Sequence, residues 1–303
     1  LGYAGPVIGG IIADKLLGFR NMIKLGAVTI TAGHATLAFM SEEQTFLLYL
    51  GLALIAVGTG FFKGNISNLL GMCYSKDDPK RDKAFSLFYV SVNLGSFVAS
   101  IACGLIAKQY GWEYGFGLAG IGMLLGLFTF IKFEDMLGNV GIMTAKQQLL
   151  NKKYKTKTLV YMLAISLAIS SAFMLAYSHL FTKALVIVGI SIYAYIGKML
   201  FSMDTFERKN IILLMVLTVF LMLFFSVEMQ LGTLFNLFTA RNVDTTFLGY
   251  EIPAASLQSL NPMSIMLFGP LLAPLFVRLG IGFSMMRIGL GVLSMIASLL
   301  ILY

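Results

Sequence analysis

Ile211–Phe238 reads IILLMVLTVFLMLFFSVEMQLGTLFNLF, twenty-eight positions that carry one formal charge, Glu228. At ~1.5 Å per helical residue such a run exceeds the ~30 Å hydrocarbon core of a bilayer, which ~20 apolar residues suffice to cross. In lipid every backbone N–H and C=O must be satisfied within the structure. A long, non-alternating run meets that demand as a helix far better than as the ~10-residue alternating strand of a barrel. Nine further apolar segments lie outside this one, at 1–13, 22–40, 46–70, 84–107, 115–133, 158–178, 180–198, 255–279 and 284–303. Hydrophobic residues make up 58% of the chain and charged residues 12%, with a mean hydropathy of +0.86. That balance excludes an ordinary soluble domain and predicts an all-α polytopic membrane protein.

The net charge of +8 raises the question of a nucleic-acid partner, and its distribution answers it. Alternate connections between the segments face alternate sides. One side holds Lys15, Arg20, Lys24, Lys76, Lys80, Arg81, Lys83, Lys132, Lys146, Lys152, Lys153, Lys155, Lys157, Lys198, Arg208, Lys209, Arg278 and Arg287. The other side holds Lys108, Lys183 and Arg241, and Lys63 falls inside a segment. This asymmetry is the positive-inside pattern. It places the basic loops in the cytoplasm and implies a multi-pass plasma-membrane protein whose surroundings are lipid, with no nucleic acid. Cys73 and Cys103 fall near opposite ends of successive segments, too far apart to bridge.

The chain divides into three parts. Residues 1–133 give five helices with tight connections. Residues 134–209 hold a basic stretch through Lys157, an apolar pair turning at Ser178-His179, and the charged run Asp204–Lys209. Residues 210–303 give three more helices. A basic linker between helical halves is a common way to join two transporter bundles. The first segment is shorter than a span and the last runs to Tyr303, so a fragment of a longer protein is expected, incomplete at both ends.

Four stretches carry chemistry. The first is Gly9-Gly10-Ile11-Ile12-Ala13-Asp14, followed by Gly18 and Arg20. Small residues let helix ends approach closely, and Asp14 with Arg20 is expected to form a charge latch. The plainer reading of the stretch alone is an ordinary polar loop. The second, Gly58-Thr59-Gly60-Phe61-Phe62-Lys63-Gly64-Asn65, puts a lysine inside a helix. The third is Phe85-Ser86-Leu87-Phe88-Tyr89-Val90-Ser91-Val92-Asn93-Leu94-Gly95-Ser96-Phe97. The fourth comprises Arg241-Asn242-Val243-Asp244, Gly249-Tyr250-Glu251-Ile252-Pro253 and Gln258-Ser259-Leu260-Asn261-Pro262.

Together, in this order and spacing, these stretches resemble the proton-dependent oligopeptide transporter (POT/PTR) family of the major facilitator superfamily, over essentially the whole chain. The resemblance implies that fold, with helices two to nine present and an extra helical pair between the halves. It implies a proton-coupled symporter of di- and tripeptides, working as a monomer by alternating access and driven by the proton gradient with no other cofactor. By that alignment Lys63 matches a cavity lysine that meets the peptide carboxylate. Asn93 and Asn261 match asparagines that hold the amide and amino end. Tyr3 matches a pocket tyrosine, and Phe225 stands where many members have a tryptophan. The usual Glu-Gln falls on Met229-Gln230, so the acid of this chain, Glu228, sits one residue early, about 100° around a helix. Some members carry an acid there. Gly10, Asp14 and Arg20 belong to the superfamily's loop signature.

Each residue also has a plainer reading. Lys63 can snorkel to the interface, although an intramembrane charge more often faces a water-filled cavity. Glu228 is costly in an apolar helix unless paired or protonated, which suits a proton site. A structural hydrogen bond in the bundle explains it too. The asparagines serve equally as interhelical glue. His34 reads as a packed neutral histidine, His179 as solvated, and Trp112 as part of an interfacial belt. No metal-ligand spacing, P-loop or Ser-His-Asp set is present, so an enzyme is not expected. Rival cargoes on the same fold are nitrate, amino acids or a peptide-like drug. A non-transporting scaffold or receptor is the rival of another class.

Overall fold

The computed structural model describes residues 5–41, 43–247 and 249–279, together with Gly291 and Ser294. The expected segment 284–303 and the pocket candidate Tyr3 lie outside the described residues. The described chain is helical except for a two-stranded ribbon. Its helices are α1 (Gly5–Ile12), α2 (Phe19–Ala38), α3 (Thr45–Met72), α4 (Pro79–Tyr110), α5 (Trp112–Phe133), α6 (Ala145–Tyr154), α7 (Thr156–Ala176), α8 (Ser178–Met199), α9 (Thr205–Glu228), α10 (Leu234–Asn242), α11 (Ala254–Leu257) and α12 (Leu260–Arg278). The ribbon pairs β1 (Thr246–Phe247) with β2 (Tyr250–Glu251), antiparallel, with Thr246 opposite Glu251. Among the described residues six helical stretches are long and apolar enough to cross a membrane: Thr45–Met72, Pro79–Tyr110, Trp112–Leu137, Thr156–Ala176, Phe181–Ser202 and Thr205–Glu228.

Local chemistry sets the ends. Asp78 accepts from the Lys80 amide, and Pro79, whose missing N–H is no loss in a first turn, opens α4. Gly111, at φ 113°, lets α4 stop and α5 start within one residue. Asp204 caps α9 by accepting from Glu207 N at 2.7 Å. Thr144 and Gln147 form a reciprocal capping box at the start of α6, which closes on Lys155 in the left-handed region. The run 211–238, expected as one helix, is interrupted. It is helical to Glu228, tightens into a 3₁₀ turn over Met229–Gly232, and resumes at Leu234. Gly232 and Thr233, both poor helix formers, sit at the break.

Contacts group the chain into two units. The first comprises 1–89 and 102–188, the second 90–101 and 189–303. In the first unit α2 and α1 lie against α3 at backbone distance. A Cβ on Gly60 would come within 2.6 Å of Gly5 Cα, and one on Gly26 within 2.8 Å of Gly58 O. Between helices in lipid, where no hydrophobic force acts, such close packing is what holds them. α7 adds Val160, Ala164, Ala168 and Ala172, one buried stripe at four-residue spacing. Val160 and Ala164 join Ile12, Leu17, Met22, Val57 and Phe61 in the buried cluster. In the second unit the Tyr193 hydroxyl of α8 reaches Met215 O of α9 at 3.5 Å, and Ser256 Oγ of α11 donates to Ile101 O at 3.4 Å.

Candidate functional site

Lys63 lies on α3, whose first two-thirds are apolar, and its side chain is exposed. Its neighbours fix it on that face. Phe61 and Asn65, two residues to either side, are fully buried. Since two residues are about 200° apart on a helix, the face carrying Lys63 points away from that packing. Among the described residues no carboxylate pairs with Lys63.

The other candidates lie in the second unit. Asn93 is 8% exposed on α4, within the stretch 90–101. Phe225 is 43% exposed and stacks edge-on with Phe224, ring centres 5.6 Å apart. Glu228 is the last residue of α9, at the helix break and not, as the sequence suggested, well inside an unbroken helix. Its Oε2 is buried without a hydrogen-bond partner, and so is Asn236 Oδ1 on α10. Asn261 is exposed in the first turn of α12. Lys63, Asp14, Gly10 and Arg20 thus belong to one unit, and Asn93, Phe225, Glu228 and Asn261 to the other.

The loop signature differs from its expected form. Arg20, 7% exposed, makes no latch with Asp14. Its Nε donates to Val140 O and its guanidinium NH2 to Gly138 O, both at 2.6 Å. Asp14 ends with an exposed side chain while its carbonyl accepts from Gln147 Nε2 at 2.7 Å. Gln147 also donates to Ala13 O at 3.1 Å, where a π-helical turn over Ala13–Leu17 leaves that carbonyl accepting from Gly18 N as well. A fork of five donors suits two backbone carbonyls at once, and a buried guanidinium needs them. Gly10 meets nothing: a Cβ there would find no atom within 4 Å, and Gly5 and Gly9 make the close approach to Gly60. The spacing Thr144-x-x-Gln147 is a legible capping box, but it does not reveal the bonds of Gln147 to Ala13 O and Asp14 O. His34 packs against Gly120 and Phe116, with Nδ1 buried and unpartnered.

The sequence model of the family described as PTR2, POT family, matches residues 20–303. The chain belongs to the POT family. Among POT-family and related proteins, dipeptide and tripeptide permease A of Proteus mirabilis (strain HI4320) is 36% identical over 278 residues, covering 92% of this chain and 56% of that protein. The crystal structure of tetrameric PepTSo2 superposes with a TM-score of 0.80 at 29% identity, covering 91% of this chain and 60% of that one. A mutant peptide transporter POT in complex with alafosfalin gives 0.76 at 31%, covering 92% and 57%. The fold is therefore the POT-family transporter fold, and the chain is a membrane protein. It spans a little over half the length of the curated relatives it matches.

Proposed function

We propose that the protein is a proton-coupled symporter that imports di- and tripeptides by alternating access, and not an enzyme. The observation that carries this reading is Lys63. It is a cation on an apolar helix of a POT-family chain, exposed and with no carboxylate among the described residues to neutralise it. A peptide supplies that carboxylate at its C-terminus whatever its side chains. Asn93 and Asn261, which both donate and accept, hold the amide and amino end, with Tyr3 and Phe225 as pocket walls. Glu228, whose buried Oε2 has no donor, carries the coupled proton, and Lys63 responds to its charge. The driving force is the proton gradient. Residues 1–133 and 210–303 act as the two bundles and 134–209 as the linker with its extra pair. Gly10, Asp14 and Arg20 serve the gate. We place the protein in the cell's inner membrane with its basic loops cytoplasmic, and take the monomer as the transporting unit.

The test is uptake of labelled dialanine by the full-length protein in liposomes, wild type beside Lys63→Ala. Uptake that needs an inward proton gradient and fails in the variant establishes symport and the role of Lys63. Wild type that ignores dialanine with or without the gradient overturns the peptide reading. The alafosfalin complex of one relative supports a second reading, in which the same site takes another small solute such as a peptide-like drug. Competition by tripeptides against dialanine uptake separates the two.

A further inference from the structure

From Met136 to Met203 the chain contains no Asp or Glu, yet Lys146, Lys152, Lys153, Lys155 and Lys157 fall within its first part. Three of these lysines lie on α6, and the structure turns them to one side. Gln147 is 4% exposed and Leu150 and Asn151 are half-buried, so one face of the helix is docked, Gln147 through its bonds to Ala13 O and Asp14 O. At 100° per residue the opposite face presents Lys152, Leu149 and Lys153 in angular order, with Lys146 beside them. All four side chains are exposed, and Leu149 retains 67% of its surface. The arrangement is a cluster of cations immediately before a span, the pattern that draws a segment to anionic headgroups.

Position supports the same partner. Only Lys155 separates α6 from α7, and α7 and α5 are both spans, so α6 is held at a membrane surface. The acids near its docked side do not neutralise it: Glu134 is occupied by Lys24 at 2.9 Å. Asp14 and Asp135, on the segments nearby, form no ion pair with Lys146, Lys152 or Lys153. Lys153 Nζ rests over the Tyr154 ring at 4.9 Å and keeps its charge exposed beside an interfacial aromatic.

We infer that the outward face of α6, built from Leu149, Lys146, Lys152 and Lys153, binds the anionic phospholipid headgroups of the leaflet on its side of the membrane. Lysines near such a surface are attracted additively, and the attraction fades with salt. The occupant is lipid phosphate; a second copy of the chain or another part of this one are the competing occupants.

The test labels Leu149→Cys with an environment-sensitive NBD probe in full-length protein carrying Cys73→Ser and Cys103→Ala. The protein is reconstituted in phosphatidylcholine vesicles with or without phosphatidylglycerol. The expected result is a blue shift and quenching by headgroup-region spin-labelled lipid only when phosphatidylglycerol is present. High salt and the triple change Lys146→Gln, Lys152→Gln, Lys153→Gln should abolish both. Equal iodide quenching in the two vesicle types overturns the inference. So does a probe shielded from both iodide and spin-labelled lipid, since protein then covers the face.

Discussion

Arg20 and Val140 lie 120 positions apart, and Nε of the arginine donates to the carbonyl oxygen of Val140 at 2.6 Å. The contact gathers three connections. The turn between α1 and α2, the segment after α5, and α6 are joined by Arg20, by Gln147 and by the Lys24–Glu134 pair. The Arg20 amide adds a bond to Gly141 O at 3.0 Å. Backbone carbonyls that would otherwise need water at a helix end are satisfied by side chains from far along the chain.

Arg20→Ala leaves the carbonyls of Gly138 and Val140 without their donors, and should cost about 2–4 kcal/mol. Arg20→Lys should recover little, because an ammonium cannot reproduce the planar fork. Thermal unfolding in detergent measures both. A lysine variant as stable as wild type would show that charge, not geometry, holds the strap.

The approach of α1 to α3 makes a paired prediction. Gly60→Ala puts a methyl within 2.6 Å of Gly5 Cα, backbone that has no rotamer to yield, and should destabilise by about 1–3 kcal/mol. Gly10→Ala meets open space and should be neutral, or stabilising by up to ~1 kcal/mol. Equal losses at the two positions would mean that the signature glycines act through something other than helix packing.

Glu228→Gln keeps the size of the side chain and removes its proton chemistry. Gradient-driven dialanine uptake should fall to near background while counterflow exchange of peptide persists. If both activities survive, the coupled proton is carried elsewhere.

Asp244 precedes the β1–β2 ribbon, and its carboxylate accepts from the Thr246 backbone amide at 2.9 Å and from the Thr246 hydroxyl, which holds it below the ordinary value of 3.8. A depressed carboxyl favours the folded turn above its unfolded value and loses that contribution as pH falls through the lower one. Hydrogen exchange at the Thr246 amide, corrected for intrinsic rates, should therefore be unchanged from neutral pH to near pH 4. Below that its protection should fall, and in Asp244→Asn this acid dependence should be absent. Because the side chain is solvated, global stability should barely move.

Much of this was legible in the residues. The apolar runs determine that the chain spans a membrane, because ~20 residues without charge have no other economical environment. The lysine and arginine asymmetry is the basis of the proposed sidedness, and the four motif stretches indicate the family that the match over 20–303 shows. Gly9 and Gly10 are indistinguishable in one dimension. Only the rotation of α1 against α3 decides which one meets Gly60. Asp14 and Arg20 read as an ion pair because they are close in sequence and opposite in charge. The tertiary structure instead gives the guanidinium to Gly138 and Val140, carbonyls that no short-range pattern brings near. The interruption after Glu228 was hidden in an apolar run whose composition fits helix throughout. Periodicity and charge are properties of a local window, and these the sequence carries outright. Which side chain satisfies which carbonyl depends on helix rotation and on segments more than a hundred residues away, and that only the folded chain decides.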